Sequence, residues 1–114
     1  MLTNTAPVAT NSQYSDISGT EVANGNGYTT GGASLTLTSS SQSGGTYKYI
    51  ASAASPTWTA TGPMGTFRYV VAYDSTPTAK SLVGWWDYGS SLSLTSGQTF
   101  TVSLDGTNGV FQLA

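Results

Sequence analysis

Five carboxylates are the only acids in the chain: Asp16, Glu21, Asp74, Asp87 and Asp105. A glycosidase needs two of them facing each other across a cleft, and nothing in their spacing brings a pair together. Asp105 stands before Gly106, and Asp74 before Ser75-Thr76-Pro77, which is turn chemistry in both cases. There is no His, so the commonest general base and metal ligand is missing. There is no Cys, hence no thiol nucleophile, zinc–thiolate site or disulfide framework. Serine hydroxyls are plentiful, but no His and no G-x-S-x-G elbow supports a nucleophile. No D-x-D-x-D-G loop is present to hold calcium. Gly25-Asn26-Gly27 leads into no helical pattern, so no helix end supports a phosphate cradle there. The expectation is a protein with no catalytic residues, no cofactor and no metal.

The adjacent pair Trp85-Trp86 is more informative. Neighbouring residues of a strand point to opposite faces, which predicts one indole in the core and the other on the outer face of the sheet. Covering such a ring is worth roughly 4–6 kcal/mol of transfer free energy as an upper bound. The outer ring is therefore hidden by a loop or the N-terminal segment, buried in a subunit interface, or used as a sugar-stacking platform. Arg68 and Asp87 lie on the minority faces of the two neighbouring long runs and are expected to pair across strands.

Along the chain, no stretch of eleven residues places apolar side chains at helical spacing. Short period-two runs bounded by Gly, Ser, Asn or Pro appear instead. They cover 34–38, 46–51, 57–60, 67–74, 81–88, 98–104 and 109–113. Asp105-Gly106-Thr107-Asn108-Gly109 predicts a hairpin between the last two runs. Ser39–Gly45 (SSSQSGG) reads as a mobile surface loop. Residues 1–20 carry little pattern and read as an extended N-terminal arm, leaving one domain over 21–114. The fold class is all-β: an antiparallel β-sandwich or small barrel of about six to eight short strands.

Composition sets the outer bounds. The chain has 114 residues, room for one domain of ordinary size. Charged residues are 7% of the total, against about 25% in an ordinary domain, so hydroxyls, amides and backbone must build the surface. Disorder does not follow, because the net charge is only −2 and 38% of residues are hydrophobic. Lys48, Arg68 and Lys80 are the only cations, too few and too scattered for a nucleic-acid surface. No apolar run approaches the roughly 20 residues of a membrane-spanning helix, and no membrane partner is expected.

The ordered pieces resemble a family of bacteriophage virion structural proteins. The matching text is Tyr14-Ser15-Asp16-Ile17, Glu21-Val22 and the GYTTGG turn over 27–32 with Ala33-Ser34-Leu35-Thr36. Pro56-Thr57-Trp58, Arg68 to Asp74 and Leu82 to Gly89 follow it. Phe100 to Asp105 and Asn108 to Leu113 close it. The resemblance covers about residues 14–114. It implies a β-rich structural subunit without an active site. Two departures stand out: the family has a further helix and first strand before the point that Met1–Thr5 resembles, and aliphatic residues where this chain has Trp85 and Trp86.

The expected function is static binding in a virion, as a head decoration (cement) protein on the capsid surface. Its partners would be the major capsid protein and copies of itself, a homotrimer by analogy with three-fold lattice sites. Candidate interface residues are Trp85, Trp86 and Tyr28, with Pro7 and Val8 in the arm. The rival reading is a tail- or neck-associated carbohydrate-binding adhesin that stacks sugars on Trp85, Trp58 and tyrosines. A small β-hydrolase would need two carboxylates meeting in a pocket.

Overall fold

Dense β-branched and aromatic residues, broken every few positions by Gly, Ser or Pro, favour pleated strands over helix. In the computed structural model, which describes residues 1–51, 55–105, 107 and 111–113, the fold is all-β. Among the described residues the helical turns are two 3-10 turns, Tyr14–Asp16 and Ser18–Thr20. The chain divides into two compact units, residues 1–32 with 59–99 and residues 33–58 with 100–114, not at the expected arm boundary after residue 20.

The first unit holds a three-stranded antiparallel sheet of β1 (Leu2–Thr3), β5 (Phe67–Tyr73) and β6 (Leu82–Leu92), with β5 in the middle. Leu2 lies opposite Val70 on one side, and Val70 opposite Trp86 on the other. Leu2, Phe67 and Val71 are fully buried, each contributing about 1.5–3 kcal/mol by leaving water. Val71 packs with Met1 and Ile17, and Tyr14, Tyr73 and Leu82 close over them. The expected arm is therefore tied down at its start: Met1, Leu2 and Thr3 are buried, and Asn4 N donates to Thr20 O.

The second unit is built on β2 (Leu37–Ser43), β3 (Thr46–Ala51) and β8 (Phe111–Leu113), in the order β2-β3-β8 and antiparallel. The stretch read as a mobile loop is strand here. Ser39 to Ser43 pair with Ile50 to Thr46, and Gly44-Gly45 makes the turn with both φ positive, at 57° and 83°. That backbone matches strand twist and favours glycine. The expected terminal hairpin is also rearranged, because β8 pairs with β3 and not with the strand before it. With β2 on one edge of β3, the other edge still holds unpaired backbone groups, and β8 satisfies them. In the linker, Asp105 Oδ1 accepts from Thr107 N at 2.7 Å, while Gly106, Asn108 and Gly109 lie outside the described residues. The run expected over 98–104 shortens to β7 (Thr99–Thr101), which pairs with β4 (Thr57–Thr59).

Candidate functional site

Each of the five carboxylates accepts hydrogen bonds from the chain's own groups. Glu21 takes three: Tyr14 OH at 2.6 Å, Tyr28 OH at 2.7 Å and Gly31 N at 2.6 Å. Tyr28 OH in turn accepts from Leu2 N at 3.0 Å, and Tyr73 OH donates to Gly31 O. This network fastens the GYTTGG segment to β1 and to the turns at 14–20. It pushes the Tyr14 hydroxyl up to about 12, chiefly through its bond to the Glu21 carboxylate. Burial first, then Glu21, raises Tyr28 and Tyr73 as well. Asp16 is held low by the Ser12 and Gln13 N–H groups, and Asp74 and Asp105 cap turns through Thr76 N and Thr107 N. No group of three metal-ligating side chains gathers among the described residues.

Asp87 is the fifth carboxylate. Arg68 Nε and Nη2 each donate to it at 2.8 Å, a fork-on-fork pair. Its Oδ1 also accepts from Gly89 N at 2.7 Å. The ladder explains this geometry. Phe67 pairs with Leu92 but Tyr69 with Asp87, so four residues of β6 bulge beside Arg68. The bulge lets a side chain of β5 reach Asp87, and Gly89 supplies its left-handed turn at φ 96°. Asp87 is held down to about 2, by Arg68 first and Gly89 second.

The open face of this unit is on β6. Val83, Trp85, Trp86 and Tyr88 are 47%, 45%, 46% and 56% exposed. The expectation that one indole fills the core is corrected: both lie half in water, on opposite faces. The cause is position, since β6 is the edge strand and the core is built around β5. Trp85 shares a face with its partner Val71 and meets Tyr69 edge-on, with ring centroids 5.7 Å apart. Trp86 shares the other face with Val70.

The remaining candidates separate. Tyr28, 2% exposed, is a core tyrosine and Pro7 is buried, so neither presents a surface. Val8 is exposed, in a turn where its C=O accepts from Asn11 N. Trp58 is buried, its ring stacked with Phe100 at 6.2 Å, which removes it from any sugar platform. The role of Glu21 was not readable, because two tyrosines and a glycine amide converge on it only after the chain folds. Val83 and Tyr88 were missed as surface residues; β6 being an edge is a tertiary fact. Comparison with protein-family models, curated proteins and solved structures finds no match to this chain.

Proposed function

We propose that this chain is a virion structural subunit, a capsid decoration protein that acts by static, non-covalent contact with the major capsid protein and with copies of itself. The observation that carries the reading is the run of exposed Val83, Trp85, Trp86 and Tyr88 on one edge strand. Apolar area of this kind on a nearly uncharged surface favours association over solvation. The family resemblance in the ordered motifs supports the virion setting. So does the use of each carboxylate inside the fold: Glu21, Asp16, Asp74, Asp87 and Asp105 serve as braces and caps.

Carbohydrate stacking draws less support. Two indoles on opposite faces of one strand do not make a single platform, and Trp58 is covered. The test is quantitative mass spectrometry and antibody labelling of purified particles from the phage encoding the chain. Many copies per head, with label on the capsid surface, is the expected result. Label confined to tail or neck, or absence from particles, overturns the decoration role.

A further inference from the structure

We infer that the free edge of β6 pairs antiparallel with the same edge of a second copy, about a two-fold axis at Trp85. This deepens the proposed role by naming what β6 binds, and the two readings fail separately: solution assembly tests the pairing and particle occupancy tests the placement.

The backbone supplies the first argument. Val71 N donates to Met1 O at 2.9 Å, and Val71 O accepts from Met1 N at 2.8 Å, so both polar groups of Val71 face β1. Val71 lies opposite Trp85. In an antiparallel ladder such a position carries no bonds between the two strands. Trp85 therefore turns its N–H and C=O to the outer side, where among the described residues the sheet ends. Asp87, two residues on and opposite Tyr69, does the same.

The second argument is the extent of the open edge. Leu82 N already donates to Ser12 O at 2.9 Å, and Gln13 bridges Ser81, so residues 12–14 cover the edge at the start of β6. Beyond Asp87 the strand enters its bulge. At the other end the register shifts between Ala72 and Tyr73, with Val83 the extra residue, so the regular, open window is Gly84–Asp87, and Trp85 is the residue in it that turns its polar groups outward next to Gly84. Two copies related by a two-fold axis through Trp85 align these windows, and each partner's strand leaves the ladder at its bulge, where residues 12–14 sit.

Side chains in that register complement one another. Trp85 meets its own copy, and Gly84 lies opposite the partner's Trp86. A Cβ built on Gly84 meets nothing within 4 Å, so the space above it is open to receive an indole. The two Asp87 carboxylates stand about 13 Å apart along the strands, beyond a Debye length, and each is already paired with Arg68. Edge strands that avoid such pairing carry lysines, prolines or inward charges; this window has none of these and its one charge is neutralised.

Sedimentation equilibrium of the full chain, with Gly84→Val and Trp85→Glu, tests the pairing, alongside amide hydrogen exchange at low and high protein concentration. A monomer–dimer equilibrium is expected. Gly84→Val adds a side chain into open space in the lone subunit, so it keeps the fold and its Val71 amide stays protected. It weakens dimerisation roughly tenfold by blocking the partner's indole, and Trp85→Glu, which sets two carboxylates at the axis, weakens it roughly 100-fold. The Trp85 amide gains protection as the dimer forms, whereas the Trp86 amide, turned toward β5, is protected throughout. A chain that stays monomeric at every concentration, a trimer, a dimer indifferent to Gly84→Val, or a dimer with fast exchange at Trp85 overturns the inference.

Discussion

Replacing Glu21 by Ala isolates the network that ties the N-terminal segment to the first unit. The carboxylate accepts from Tyr14 OH, Tyr28 OH and Gly31 N, all at 2.6–2.7 Å. Tyr14 is half-exposed and regains a water when its acceptor is lost. Tyr28 is buried, so its hydroxyl loses the Glu21 acceptor where water does not readily replace it, as does the part-buried Gly31 N–H. Two such losses at about 1–2 kcal/mol each give an expected loss of roughly 2–4 kcal/mol. Glu21→Gln keeps one neutral acceptor in place and is expected to lose about half as much. Urea denaturation followed by circular dichroism measures both, with the slope m unchanged. A Glu21→Ala protein within about 0.5 kcal/mol of the parent would refute the claim that this carboxylate braces the fold.

The same network sets an alkaline limit. Tyr14 and Tyr28 have pKa values raised in the folded state, Tyr14 to about 12 from the ordinary 10.0. The contribution of Tyr14 is whole below about pH 10 and is lost as pH rises through about 12, and that of Tyr28 likewise falls above about pH 10; thermal melts at pH 9 and pH 11 are expected to show it, with a smaller difference in Glu21→Ala. Asp87 gives the acid counterpart: its pKa falls from 3.8 to about 2, so its stabilisation is present above about pH 4 and disappears as pH falls through about 2. NMR titration of the Asp87 carboxyl checks this, and in Arg68→Ala the midpoint should move back up. Gly27→Ala is expected to cost at least about 2 kcal/mol, because φ is 94° and the new Cβ drives into the Thr59 carbonyl. Gly19→Ala, whose Cβ meets nothing, should stay within about 0.5 kcal/mol, and chemical denaturation compares the two.

Alternation placed most strands because period two survives wherever one side of a strand is covered, as at Phe67 and Val71. It failed over Ser39–Ser43, where every side chain is polar and the strand is defined by backbone pairing with β3. It also failed for the partner of β8, since strand order depends on which edge remains unsatisfied and leaves no local trace. Arg68 and Asp87 were legible as opposite charges on adjacent runs, though the bulge that joins them was not. Tyr28 looked like interface material because its type fits a surface; it is 2% exposed, and the bond to Glu21 that satisfies its buried hydroxyl is announced by no spacing rule. The two indoles misled in the same way, since alternation gives opposite faces but does not say that a strand is the last in its sheet.

Hydroxyl-radical footprinting of the two β6 indoles, read by mass spectrometry, asks directly whether oily side chains left bare by the fold are what an assembly covers. In dilute, isolated chain both Trp85 and Trp86 should oxidise readily while Trp58 resists. In intact particles the β6 pair should become as resistant as Trp58. Equal oxidation of Trp85 and Trp86 in the two states would contradict the account.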